Sequence, residues 1–410
     1  MIIVITNRKL PTLPSNQSLP LKVKDLGASL GERIGDEDII YTGLLSNDEN
    51  VINFYPKGDE SSLFSTITEQ DRTKPWVIFV HGFNQEPLDN MDKARALAAY
   101  HGVNVIAFAW PAKPLDQLMT WNGAIKSTAK DVLADLSGTK MLVNLTKKLF
   151  FSYLKDKWNN YEPAIANAEK SKTDFIAAIS LINENQSLIS NKPPVLLIHS
   201  MGNYLLENAM TGIESLPMKF SNIILHQGDA DSPDYNWVEK LLDSLDDTLD
   251  NPAKAYLTIN YADFVLGAST TRRLILNTKD HDNLSTERIG QIRTNHIDCG
   301  FTYLDFSDGE WVYNEHEFFQ LPKEKTNDHV YNCLHKILKG KSDDLPVVER
   351  ESMHGFTRIP TGNPDIPLYR LEDIIHPADD DYENYTSLKE YDDNQPSSFV
   401  DDPDMFGHDH

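Results

Sequence analysis

The sequence predicts an α/β protein: a mostly parallel sheet with helices on both faces and a helical insertion ahead of its central strand. Three observations carry this reading. From Trp76 onward, short apolar runs alternate with helical stretches, the pattern of strands buried on both faces. One run, Val195–Ile198, passes through the turn His199-Ser200-Met201-Gly202 into an amphipathic helix. An earlier run, Trp76–Val80, ends in His81-Gly82-Phe83-Asn84.

Taken in order, Met1–Lys9 (MIIVITNRK) has no basic leader before its apolar run and no small-residue cleavage site, so it reads as a first strand rather than a signal peptide. Turn residues such as Pro14-Ser15-Asn16 and Pro56-Lys57-Gly58 make residues 1–70 an N-terminal extension that starts the sheet in antiparallel fashion. The main α/β domain is expected over 71–340. Its strands are Trp76–Val80, Val103–Ala109, Val195–Ile198, Asn222–Leu225, Tyr256–Asn260 and Phe301–Phe306, most of them rich in β-branched or aromatic residues. Helices are expected at Asp89–His101, Ser200–Met210, Asp234–Leu245 and Asp328–Leu338. The interval from Trp110 to Pro194 is too long for a simple crossover. Its patterns at Ala124–Leu136, Met141–Trp158 and Ala164–Ile182 predict a helical insertion, about 115–190, lying as a lid over the sheet's carboxyl edge. The lysines of Met141–Trp158 fit the water-facing side of a packed amphipathic helix better than a membrane-surface helix.

After Gly340 the chain is rich in Asp, Pro, Asn and Ser, with few hydrophobics to offset the entropy of ordering. This predicts an acidic, largely disordered tail over 341–410, with Leu368–Ile375 as its one docking segment.

Composition narrows the function. Of 410 residues 40% are hydrophobic, enough for a large core, and the net charge is −24. Between Asp343 and His410 there are 18 acidic against 4 basic side chains, so the tail holds −14 of that charge and the body only −10. Such a chain lacks the basic surface that nucleic acid requires. Two cysteines, Cys299 and Cys333, make neither a disulfide framework nor a metal site. No stretch approaches the ~20 apolar residues of a spanning helix, so no integral membrane segment is expected, and cytoplasm is the expected location.

The segment VLLIHSMGNYLLENAM (195–210) has the context of a nucleophile elbow, where a sharp strand-to-helix turn pushes a serine hydroxyl out at the sheet's carboxyl edge. Ser200 is the candidate nucleophile. Gly202 suits the tight strand–helix contact, and the helix amino terminus favours developing negative charge. Ile198 departs from G-x-S-x-G, which wants a small residue there. The Gly82 turn, two strands earlier, is placed to supply one backbone donor of an oxyanion hole, assigned to Phe83, with Met201 supplying the second.

With Val80–Asn84 (VHGFN), Ala109–Pro111 (AWP) and His199–Asn203 (HSMGN), the chain resembles the α/β-hydrolase superfamily, in particular a poorly characterised bacterial esterase-like branch, from about Pro75 to Gly340. The resemblance implies an α/β-hydrolase fold and the chain order serine, acid, histidine. Asp263, just after strand Tyr256–Asn260, is the expected acid, with Asp229 and Asp231 as alternatives. His316, in EHEFF (315–319), resembles the branch's histidine followed by aromatics two and three residues on, and His329 remains the alternative base.

The expected function is thus a serine hydrolase cleaving a small-molecule or lipid ester through an acyl-enzyme, with no metal or organic cofactor. The competing expectation is a catalytically silent α/β-hydrolase-fold binding protein whose acidic tail meets a protein partner. A nucleotide-binding protein ranks last, because no glycine-rich phosphate loop follows any strand.

Overall fold

Eight neighbouring strands run parallel, and central ones such as Trp76–Val80 are apolar along their whole length, as strands covered on both faces must largely be. In the computed structural model, described for residues 1–12, 17–31, 38–46, 50–112, 139–230, 236–249, 252–261, 263, 265–267, 269, 288–291, 299–307, 312, 316–325, 328–341, 355–359 and 368–372, the elements are as follows. The amino-terminal part contains β1 (Ile2–Thr6), β2 (Leu19–Lys22), β3 (Tyr41–Leu45), β4 (Val51–Phe54) and short helices α1 (Glu60–Phe64) and α2 (Glu69–Thr73). Then come β5 (Trp76–Val80), α3 (Pro87–His101), β6 (Asn104–Ala109), α4 (Thr139–Glu184), α5 (Gln186–Ile189), β7 (Val195–His199) and α6 (Gly202–Met210). The remainder contains β8 (Asn222–His226), α7 (Asn236–Leu242), β9 (Lys254–Ile259), β10 (Thr302–Asp305), α8 (Asp328–Ile337), β11 (Gly355–Ile359) and β12 (Leu368–Glu372).

Among the described residues these strands form one sheet in the order β11-β12-β10-β9-β8-β7-β5-β6-β1-β3-β4-β2. Strands β12 through β1 in that order are parallel, and β3, β2 and β11 are antiparallel to their neighbours. All six strands expected between Trp76 and Phe306 are present, with Val195 opposite Val77 and Leu225 opposite Ile198. Successive residues of each strand point to opposite faces and build two cores. Ile78, Val80, Ile106, Leu196 and Ile198 pack with Phe175 and Ile179 of α4, Leu205 and Met210 of α6 and Val238 of α7. Val77, Phe79, Val105 and Leu197 pack with Met91 and Leu97 of α3 and Leu334 and Ile337 of α8. Ile198 thus belongs to the first core, where the elbow accommodates its bulk.

Three expectations are corrected. The sheet does not simply start antiparallel, because β1 pairs parallel with β6, Ile2 opposite Val105, and is buried throughout. An Ile-Ile-Val-Ile run without a polar face suits an interior strand, whereas β2, whose burial alternates, takes the edge. The separate helices Met141–Trp158 and Ala164–Ile182 are one helix, α4, with Pro163 inside it. Tyr161 and Ala164, buried on either side of this proline, anchor the segment through tertiary contacts that outweigh its local propensity. The tail begins later than Lys341, since β12 pairs with β10 and β11 with β12, so the sheet continues to Glu372. Leu368 and Leu371 are buried there. Met1–Glu372 is one compact unit. The expected helix Ala124–Leu136 and residues 373–410 lie outside the described residues. No helix among the described residues is long and apolar enough to cross a membrane.

Candidate active site

Strands β5, β7, β8 and β9 point the same way, so the turns that follow them meet at one edge of the sheet. Three non-glycine residues there have left-handed backbone: Asn84 (φ 58°), Ser200 (φ 52°) and Gln227 (φ 45°). Each such residue costs about 1–3 kcal/mol and persists only where its surroundings impose it.

At Ser200 those surroundings are visible. Its N–H donates to the His226 carbonyl at 3.0 Å. Its own carbonyl accepts from the Asn203 and Asp229 N–H groups, at 2.9 and 3.0 Å, and from the Asn203 side-chain amide at 3.0 Å. The same amide reaches the Ile198 carbonyl at 3.3 Å, so Asn203 braces the elbow from both sides. The loop after β5 lies directly against the serine: a Cβ on Gly82 would stand 2.5 Å from Ser200 Cβ and 3.0 Å from its Oγ. A Cβ on Gly202 would meet the His81 carbonyl at 3.0 Å, which is why α6 can begin so close to β5. Phe83 follows Gly82, and Met201 stands at the amino end of α6, where N–H groups lack partners within the helix. Among the turn and loop hydrogen bonds of the described residues, neither the Phe83 nor the Met201 N–H donates to a backbone carbonyl.

Asp263 and His316, 53 residues apart, are brought together: His316 Nδ1 lies 2.5 Å from Asp263 Oδ2. The other carboxylate oxygen accepts the N–H groups of Val265 at 2.9 Å and Leu266 at 3.2 Å, which fixes its plane. Asp263 is buried, and His316 Nε2 is buried with no hydrogen-bond partner among the described residues. Burial opposes protonation of His316, but the charge and hydrogen bond of Asp263 outweigh it and raise the imidazole above its ordinary value. His329 lies in the first turn of α8, and Asp263 takes His316 instead.

Asp229 is engaged elsewhere. Its Oδ1 accepts from Arg288 Nε at 2.9 Å and Ser269 Oγ at 2.8 Å, and its Oδ2 from the Tyr161 hydroxyl at 2.7 Å. Tyr161, from α4, also sets its ring against Phe83, with centroids 5.2 Å apart. Asp231 lies outside the described residues.

Beneath His316 lies a cluster that local sequence reading left unassigned. The His199 ring stands 4.6 Å from that of His316 and 5.4 Å from that of His226, with the two Nδ1 atoms 3.3 Å apart. Phe318 and Phe319 pack on these rings. Glu317 accepts from Lys93, from Gln85 at 3.3 Å and from Gln320 at 2.8 Å, and approaches His199 Nε2 at 3.6 Å. These side chains do not form a metal-ligand set: among the described residues no such group of three or more stands together.

Burial lowers His199 to about 3 and His101 to about 4, and holds His81 and His226 well below their ordinary value. These groups stay neutral in the folded chain but take up protons once unfolded, below about pH 6.5. Their contribution is therefore intact above pH 6.5 and lost as the pH falls, by up to about 1.4 kcal/mol per pH unit for each histidine. His316 has the opposite sign and offsets part of this loss. Scanning calorimetry from pH 7 to pH 5 is expected to show a steadily falling Tm, and a flat profile would contradict the burial of these rings as neutral groups.

A strained serine between a parallel strand and a helix, with a glycine loop packed against it and an Asp–His pair at the same sheet edge, defines an α/β hydrolase. The family model for DUF900, described as an alpha/beta hydrolase of unknown function, matches residues 57–306, and the chain belongs to that family. No curated protein and no solved structure matches the chain.

Proposed function

We propose that the protein is a serine hydrolase that cleaves an ester-like bond, in a small carboxylester or a lipid, through an acyl-enzyme on Ser200. The observation that carries this reading is the Asp263–His316 pair, whose second imidazole nitrogen is unpartnered at the edge where the strained serine stands. His316 Nε2 takes the Ser200 hydroxyl proton as Oγ attacks the carbonyl carbon. Negative charge gathers on the carbonyl oxygen, which the Phe83 and Met201 N–H groups receive. When this intermediate collapses, the C–O bond to the alcohol breaks and His316 returns its proton to the leaving oxygen. Water then repeats the sequence on the acyl-enzyme, releasing the acid and restoring the serine. Asp263 holds the imidazole with Nδ1 protonated and stabilises its charged form.

The test is hydrolysis of short- and long-chain p-nitrophenyl esters, with fluorophosphonate labelling in parallel. The expected result is turnover together with an adduct mapped by mass spectrometry to Ser200. Folded protein that neither turns over nor labels would make the binding-protein reading the better one. An adduct on another serine would reject Ser200 as the nucleophile.

A further inference from the structure

We propose that Glu317 is the positioning residue of the base: its carboxylate ties the loop bearing His316 to the other segments around Ser200. The proposal rests on the serine-hydrolase reading above. Four contacts carry it. Lys93, on α3, is buried, and its ammonium pairs with Glu317. Gln85, from the loop that also holds Gly82 and Phe83, donates to the same oxygen, Oε1, at 3.3 Å. His199 approaches that oxygen at 3.6 Å and immediately precedes Ser200. Gln320 holds the second oxygen, Oε2, at 2.8 Å from within the His316 loop. One side chain thus joins the segment after β5, the end of β7, helix α3 and the loop of the base. Asp263 fixes the imidazole through Nδ1, and Glu317 fixes the backbone beside it.

The tautomers agree with this arrangement. With His199 kept neutral by burial, a proton on its Nε2 would point toward Glu317 and leave Nδ1 to accept from His226 Nδ1–H across 3.3 Å, a tautomer pair that the distances allow. Among the described residues, the charged and titratable groups around the His316 imidazole are Asp263 from the loop after β9, Glu317 from its own loop, Lys93 from α3, and His199 and His226 at the ends of β7 and β8. Of the pair itself, the negative Glu317 favours the protonated imidazole more strongly than the positive Lys93 disfavours it.

This yields effects of opposite sign, which a merely structural contact would not give. Glu317→Gln is expected to lower kcat roughly 10- to 100-fold with KM little changed, since a misplacement of about 1 Å costs on the order of 10²-fold. It should also move the His316 titration to lower pH. Lys93→Met should move that titration to higher pH. Lys93→Met/Glu317→Gln, which leaves no buried charge unpaired, guards against a misfolded single variant and should give a downward shift smaller than that of Glu317→Gln.

The titration is read by NMR from the His316 ring signal, identified by its loss in His316→Ala, and the kinetics from p-nitrophenyl ester hydrolysis at each pH. Shifts of opposite sign with loss confined to kcat would establish the proposal. Shifts of one sign, no shift, or a change in KM alone would overturn it. The NMR titration needs no turnover, so it tests the network even if ester cleavage fails. Persistence of activity in Ser200→Ala would count against the hydrolase reading alone.

Discussion

Replacing Ser200 by alanine is expected to lower kcat by about 10⁶-fold, and replacing Asp263 by asparagine by about 10⁴-fold, with both proteins folding as the wild type does. The two numbers differ because the two groups do different work. In the proposed mechanism the variant without Ser200 Oγ forms no acyl-enzyme, and any residual rate would come from the N–H groups of Phe83 and Met201 acting on a bound ester attacked by water. An asparagine at 263 keeps the shape and can still accept the Val265 and Leu266 N–H groups on its oxygen, as Asp263 Oδ1 does at 2.9 and 3.2 Å. Its amide then faces His316 with N–H, which favours the imidazole tautomer with the proton on Nε2, the wrong nitrogen for accepting from serine. Because the groups act as a unit, Ser200→Ala/Asp263→Asn should be no slower than Ser200→Ala. The check is single-turnover kinetics with a p-nitrophenyl ester, with circular dichroism to verify folding. An Asp263→Asn enzyme within tenfold of wild type would place the orienting carboxylate elsewhere.

Which parts of this arrangement could be read from the sequence follows from how local each signal is. The six strands between Trp76 and Phe306 were legible because strands covered on both faces read as near-continuous apolar runs, clearest in WVIFV and in the VLLI of VLLIH and weakest in KAYLTI and TYLD. The elbow was legible for a similar reason: strand, turn and helix fall within sixteen consecutive residues. The pairing of Asp263 with His316 rather than His329 could be ranked only by resemblance, since nothing local fixes which histidine a carboxylate meets. Lys93 and Glu317 lie 224 positions apart, and neither segment hints at the other. The aromatics that singled out His316 do more than mark it, as Phe318 and Phe319 pack on His199 and His226. The break expected between Met141–Trp158 and Ala164–Ile182 is absent although Pro163 lies there, because Tyr161 and Ala164 beside it are buried in tertiary contacts. Leu368–Ile375 stood out as a docking segment because it carries hydrophobics in a polar stretch, and Leu368 and Leu371 seat β12 beside β10, whereas β11 was hidden by the acidic, proline-rich sequence around it.

Asp229, which sequence position alone offered as a second acid, leads to the other large effect, and it is an effect on stability. Arg288→Met is expected to cost about 3–5 kcal/mol, because it leaves a buried carboxylate without its cation. Tyr161, Asp229, Ser269 and Arg288 are all buried, and their hydrogen bonds join α4 to the turn after β8 and to the segment following β9. At an unfolding entropy of about 2.1 cal/mol/K per residue, that loss is a fall in Tm of roughly 4–6 °C for a unit of this size. Asp229→Leu/Arg288→Met removes both charges together and should recover most of the loss, since an apolar pair of similar volume carries no desolvation penalty. Activity should separate this pair from Asp263. At 20 °C, where Arg288→Met remains folded, its kcat should stay within about tenfold of wild type, because Asp229 faces arginine and tyrosine rather than a histidine. A Tm within 1 °C of wild type would mean the ion pair contributes nothing net. A kcat loss as large as that of Asp263→Asn would mean that the arginine shapes the base or the oxyanion loop, through the contact of Tyr161 with Phe83.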